Sequence, residues 1–310
     1  MKRLSLISLC FCLMLVSCWN GDKHKYLYFD PYVNNASDYQ LAKAIEKNNL
    51  KKIDSIIQND KSIIDRSYTL QYYSVLHFAV ELEKDEAVRE LLKNGFNPNV
   101  KTLDDETPLH IAAGFPHIVF YDSYSNTKLI DALLDYGADT ESLYPYQGIS
   151  NLRPVPLTPL MMSIRNSLSM SPADPFYSLL PDTKSGETLE ESLERRRKYV
   201  SLEKTKVLVE KGKADVNHKT KYGITAAILA LYYGEIEKAH YLIVQHKANV
   251  IDDFFLTEEN YIDGIPTKPV ELLRKLDYPE DSAENKLKLE IIDEFKNQGV
   301  DYYAQSESYL

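Results

Sequence analysis

The sequence predicts an all-α solenoid, a row of helical hairpins stacked on one continuous core. Three observations predict it. The phrase "SVLHFAVEL", Ser74 to Leu82, returns 33 residues later as "TPLHIAAGF", Thr107 to Phe115. Apolar residues around both phrases recur at helical rather than strand spacing. Gly95 then closes the helix that follows the first phrase, where a left-handed residue ends a helix well. Self-similarity at such an interval marks repeat units, none of which can bury its apolar face alone.

The chain opens with "MKRLSLISLCFCLMLVSC", in which Lys2 and Arg3 precede an apolar run from Leu4 to Val16. Thirteen residues are too few to span a bilayer and suit the core of a signal peptide. The run ends in Leu15-Val16-Ser17-Cys18, which resembles the lipobox of bacterial lipoproteins. That resemblance implies cleavage after residue 17, lipidation of Cys18 and a membrane anchor on an otherwise soluble chain. All three cysteines, Cys10, Cys12 and Cys18, lie in this stretch, so the mature chain keeps no free thiol for disulfides or catalysis. Trp19 stands where an aspartate implies retention at the inner membrane, so the expected location is the outer membrane, facing the periplasm. Residues 18–36 read as a tether.

The array is expected over residues 37–301, in six units. The first is "LAKAIEKNNLKKIDSIIQND", two short helices joined at Asn48-Asn49. The second places Leu76, Phe78 and Ala79 on one helix and Ala87, Val88, Leu91 and Leu92 on another. In the third, Thr107 caps a helix whose first turn holds Pro108, and Lys128 to Asp139 forms the partner helix. The nine extra residues of this unit, around "IVFYDSYSN", form a loop between its helices. The fourth starts at "TPLMMSI" and resumes at "KTKVLVEKGKADVN", with an insertion at 167–199. The fifth, "GITAAILALYYGEIEKAHYLIVQHKANV", keeps its turn glycine at Gly234. The last, "TKPVELLRKL" with "LKLEIIDEFKNQGVD", is degenerate, as a terminal unit with one solvated face should be. Residues 302–310 form a tail.

"TPLHIAA" and "LLDYGAD" resemble the ankyrin repeat at the positions that pattern most often keeps. The resemblance implies an ankyrin-repeat solenoid that binds another protein with its hairpin tips and the exposed side of each first helix. Carried over residue by residue, the positions after the motif's alanines give Glu81 and Leu82, Gly114 and Phe115, Arg165 and Asn166, and Tyr232 and Tyr233. The hairpin tips add Lys101, Asp104, Tyr144, Tyr146, Lys219 and Tyr222. Tyrosine and arginine suit this role, combining buried area with a polar handle. With 23 tyrosines in the chain, some fall at such positions by abundance alone.

Charge and motifs narrow the function. A net charge of −10, or −12 once Lys2 and Arg3 are removed, makes nucleic acid a poor partner. His77 and His110 invite a metal or catalytic reading, yet the resemblance gives this histidine a structural role, and Met161 and Ile228 replace it in units four and five. His240 and His246 are six residues apart, on different helix faces. The chain has no zinc, nucleophile-elbow or phosphate-loop signature. "LDDET" and "IDDFF" lack the donor spacing of a calcium loop. "ERRRKY" reads as a solvated helix face, with anionic lipid the alternative. No cofactor, no metal and no enzyme activity are expected. The expected function is a monomeric, lipid-anchored immunity protein that occludes a secreted toxin, such as a phospholipase. An envelope scaffold for an oxidative-stress enzyme is the alternative.

Overall fold

The computed structural model describes residues 36–66, 74–114, 127–146, 155–164, 202–255, 258–264 and 266–304. Cys18, Phe115, Arg165, Asn166, the lipobox, the tether and the 167–199 insertion lie outside them. Among the described residues no helix is long and apolar enough to cross a membrane.

The helices pair in the expected order. Unit one is α1 (Ala36–Glu46) with α2 (Leu50–Asn59), followed by a 3-10 turn at Lys61–Asp65. Unit two is α3 (Val75–Glu81) with α4 (Asp85–Lys93), and unit three is α5 (Pro108–Ala113) with α6 (Thr127–Asp135). A two-stranded hairpin, β1 (Tyr144–Tyr146) and β2 (Val155–Leu157), precedes unit four, α7 (Pro159–Ile164) with α8 (Leu202–Glu210). Unit five is α9 (Ala226–Tyr232) with α10 (Ile236–His240), which runs on as a π turn at Tyr241–Gln245. A short α11 (Glu258–Asp263) separates it from unit six, α12 (Pro269–Lys275) with α13 (Ala283–Asn297).

First helices pack on first helices, α3 on α5, α5 on α7, α7 on α9 and α9 on α12, while second helices stack behind them. A first helix therefore has neighbours on three sides. Every residue of α3, α5 and α7 is buried. Second helices bury one stripe, such as Ala87, Val88, Leu91 and Leu92 in α4, and show charge outside. The core runs unbroken from Leu41 to Phe295.

Helix stops follow the chemistry of the left-handed residue. Gly95, Gly137, Gly234 and Gly299 hold positive φ after the helix or turn they end. After α8 that conformation falls on Lys213 rather than on Gly212, and after the π turn of unit five it falls on Lys247. The stacking is tied across units by second-helix charges. Asp135 of α6 receives Arg89 of α4 at 2.8 Å and Lys211, just past α8, at 2.7 Å. Those cations hold the Asp135 carboxyl below its ordinary range, Lys211 first.

At the far end the chain closes on itself. Arg274 of α12 donates to the carbonyls of Asp301, Tyr302 and Ala304, and its guanidinium lies 5.8 Å from the Tyr302 ring. Residues 301–304 thus lie against the last unit, and the tail read as starting at 302 begins as part of it.

Candidate protein-binding surface

The hairpins between units start from one repeated device. Asn97, Asp139, Asp215 and Asn249 each accept, through the side chain, the N–H of the residue two further on, and Asp301 does the same after the last unit. These Asx turns reverse the chain in the same way each time. A residue two positions later then reaches the next unit. Asn99 accepts from the Asp139 N–H at 2.7 Å, Glu141 from that of Asp215 at 2.9 Å, and Asn217 from that of Asn249 at 2.8 Å. The hairpin bases are therefore latched side by side, and the hairpins project from one side of the stack.

The two motif histidines hold the hairpins from below. Ser74 and Thr107 cap α3 and α5, and His77 and His110 complete the capping boxes by accepting the cap residue's N–H at Nδ1, at 3.2 Å in both units. Nδ1 is an acceptor, so the proton sits on Nε2, which donates to a hairpin carbonyl. His77 reaches Glu106 O at 3.2 Å. His110 reaches two, Ser142 O at 3.1 Å and Leu157 O at 3.2 Å, one on each leg of the long hairpin between units three and four. Burial, opposed by these carbonyls, pulls both imidazoles down to about 4, so both are neutral at pH 7. They are structural groups.

The long hairpin carries Pro145 and Pro156 directly opposite each other. Neither has an N–H, so this must be a pair without mutual hydrogen bonds, with the missing donors facing outward. The outer edges of β1 and β2 are correspondingly poor templates for an added strand. What this hairpin offers outward is side chains rather than a strand edge.

The hairpins around unit five are joined to each other. Phe255 donates its N–H to Tyr222 O at 2.9 Å, and Phe254 exchanges backbone bonds with Thr267 at 3.0 and 2.7 Å. Gly223, at φ +77°, lies so close to this chain that a Cβ would stand 2.7 Å from Asp253 O. Lys219 bonds Asp252 across the same gap.

At the opposite end of the first helices, Lys204 of α8 reaches the Gly114 carbonyl at 3.4 Å, and the buried Lys238 of α10 reaches Ser163 O at 3.0 Å. Counted from the Ala-Asp and Ala-Asn pairs that follow, the two occupy the same repeat position. Each lysine of one unit caps a first helix of the unit before, where the helix dipole favours a cation. Burial depresses both ammonium groups, Lys204 to about 8.

The sequence-predicted surface residues divide. Lys101 and Asp104 are exposed at a hairpin tip, with Lys101 bonded to Asp105 at 3.2 Å, and Lys219 is exposed and paired with Asp252. Tyr232 is 37% exposed and stacks edge-on against Tyr233, centroids 5.1 Å apart, while Tyr233 leans on the core. Leu82 is half-buried and packs on the core. Tyr144 is half-buried, 5.8 Å from the His110 ring, and Tyr146 sits in β1 opposite Val155. Two expectations are corrected. Tyr222 is wholly buried, because the joined hairpins of unit five close over it, and Glu81 is buried with the rest of α3. Neither presents a side chain to a partner.

The sequence reading missed the exposed apolar residues of the hairpins, Leu103, Leu143, Ile251, Tyr261 and Ile262. Their signal was apolar residues where turn chemistry favours polar ones, as in "KTLDD" and "NVIDD". Among the described residues no cluster of histidine, cysteine or carboxylate side chains has the makings of a metal site.

Comparison with known protein families agrees with this geometry over units one to three. Residues 41–144 match the family model for ankyrin repeats, in three copies that span units one to three. A solved structure of the human ASB11 ankyrin repeat domain is similar at 15% identity, over 86% of this chain and 85% of that one, with a TM-score of 0.48. No curated protein matches the sequence. Units one to three carry ankyrin repeats, and the described helices stack as one all-α solenoid.

Proposed function

We propose that the chain works by stoichiometric, non-catalytic binding of another protein, as a lipid-anchored immunity factor that occludes a toxic effector. Ankyrin repeats imply a protein-binding module, and that much rests on the repeats themselves. The observation that carries the reading is the division of side chains along the array. Chemistry-bearing groups such as His77, His110 and Lys238 are buried and committed to backbone carbonyls. The groups left outward at the first-helix ends and hairpin tips, Tyr232, Lys101, Asp104 and Lys219, are suited to contact rather than to turnover.

Occlusion needs area and shape, about 800 Å² per partner for a standard interface. The mature charge of −12 would speed association with a basic partner at low salt. The lipobox reading would place the protein in the cell envelope, on the outer membrane facing the periplasm, where an incoming effector must pass. Mass spectrometry of the mature N-terminus tests that part, and an acylated Cys18 is the expected result.

The function itself is tested by crosslinking the full chain in its envelope, identifying the captured protein and titrating that protein's activity with the purified chain. Loss of activity at one equivalent is expected. Binding with activity retained points to a scaffold instead, and turnover of a substrate by the chain alone overturns the binding-module reading.

A further inference from the structure

The hairpin between units five and six combines three features that belong together. It is long, running 20 residues from Ala248 to the α12 cap residue Lys268, as far as Ala138 to Thr158 and against 11 from Phe96 to Thr107 or from Ala214 to Thr225. It is acidic, with five aspartates and glutamates against one lysine, whereas the hairpin from Ala214 to Thr225 holds two lysines and one aspartate. And it shows apolar surface. Ile262 on α11 is 72% exposed, Ile251 is 55% exposed and Tyr261 is 43% exposed.

An isolated exposed isoleucine means little on a protein surface. Here the mounting gives it meaning. Tyr261, next to Ile262, packs edge-on against the buried Tyr222 ring at 5.1 Å and against Phe255 at 5.3 Å. Phe255 is bonded through its N–H to Tyr222 O, and Phe254 is bridged to Thr267. Lys221 covers the Tyr222 ring at 4.6 Å. The apolar tip is thus carried on a short helix fixed by two aromatic contacts and a backbone bridge, and its orientation is set before any partner arrives. A rigid tip loses little entropy on binding, which favours affinity. Asp253 and Asp263 of the same hairpin are exposed, Asp263 directly following Ile262.

We infer that this hairpin is a docking knob, with Ile262 and Tyr261 inserting into an apolar pocket rimmed by lysine or arginine on a partner protein. The inference rests on the protein-binding reading above and adds a second contact, separate from Tyr232 and Tyr233, together with the chemistry of the surface it fits. An anionic membrane is disfavoured as the occupant by the acidic residues around the tip.

The probe is a random peptide library displayed on phage, panned against the full chain, with selected peptides synthesised and titrated. Peptides that combine aliphatic or aromatic residues with lysine or arginine are expected. Their affinity should fall at least about tenfold in Ile262→Asp, in Ile262→Ser and in the Asp253→Lys, Asp263→Lys pair, and should weaken with salt. It should be unchanged in Tyr232→Ala with Tyr233→Ala. Ile262, Asp253, Asp263 and Tyr232 are exposed and Tyr233 is half-buried, and unaltered thermal unfolding checks that each variant is folded. Selected peptides that are acidic, or that bind Ile262→Asp as well as the parent, overturn the knob. Peptides that lose affinity only in the tyrosine variant overturn the knob while leaving the protein-binding reading in place. Failure of any peptide to bind at either surface counts against both.

Discussion

Units two and three and units four and five are built on the same helical hairpin, yet their own side chains fasten different ends of the stack. In units two and three, His77 and His110 fasten the N-terminal end of the first helix to the hairpin above it. In units four and five the equivalent residues are Met161 and Ile228, both buried, and the caps Thr158 and Thr225 remain without the histidine. These units instead supply Lys204 and Lys238, which hold the C-terminal ends of the first helices of units three and four, and the hairpins around unit five bond to one another. The difference teaches that the stacked apolar core sets the fold, while the polar fastenings are interchangeable and decide which part of the surface is rigid. The hairpins that lack a histidine below them are free to join each other, and that junction carries α11 and its exposed tip.

If the core is common to both halves, Leu109→Ala and Leu160→Ala should destabilise alike, by about 2–5 kcal/mol each in chemical denaturation. Both side chains are almost wholly buried at the same repeat position. A large disparity between them would mean that the halves are not one cooperative stack.

The fastenings should separate the halves. His110→Leu keeps bulk but leaves the Thr107 N–H and the Ser142 and Leu157 carbonyls without their partner, at a cost on the order of 3 kcal/mol. Met161→Leu, at the equivalent position, should cost less than about 1.5 kcal/mol. Equal losses would contradict the clasp.

The clasp also predicts a pH dependence. His77 and His110 titrate near 4 when folded and at 6.5 when unfolded. The unfolded chain therefore binds more protons between those values, and stability present above pH 6.5 is lost as pH falls toward 4. The slope is at most about 1.4 kcal/mol per pH unit per histidine. Between pH 6.5 and 5, before ordinary carboxylates protonate, the His77→Leu, His110→Leu variant should show a shallower slope than the parent.

Two smaller effects probe the other half. Gly223→Ala meets both a positive φ and a backbone oxygen, whereas Gly95→Ala meets only the φ, with open space around it. The first should cost about 1–2 kcal/mol more than the second and should loosen hydrogen exchange at 251–255. Lys238→Met removes a buried charge along with the cap on Ser163 O. These oppose each other, so the expected change is under about 1 kcal/mol at pH 7.

The sequence made the repeat plain because stacking imposes a period, and the motif words of units two, three and five carried it. Unit one lies within the ankyrin family match although only its helical spacing was legible. The surface was less legible. Glu81 and Tyr232 hold the same motif position, yet one is buried at the end of α3 and the other is exposed at the end of α9. Burial at the end of a first helix depends on what the neighbouring units supply, which no single repeat encodes. Tyr222 was misplaced for a related reason: a hairpin that stands alone exposes its tip, and this one is covered by the next. The lysine caps escaped notice because Lys204 and Lys238 read as solvated charges on amphipathic helices.

Hydrogen exchange of the full chain, alone and saturated with a protein identified by crosslinking, tests the binding account most directly. New protection is expected at 226–233 and across the hairpin at 248–268, with none on the outer faces of α4, α6 and α8. Protection confined to those outer helices, with 226–233 and 248–268 unchanged, would contradict it.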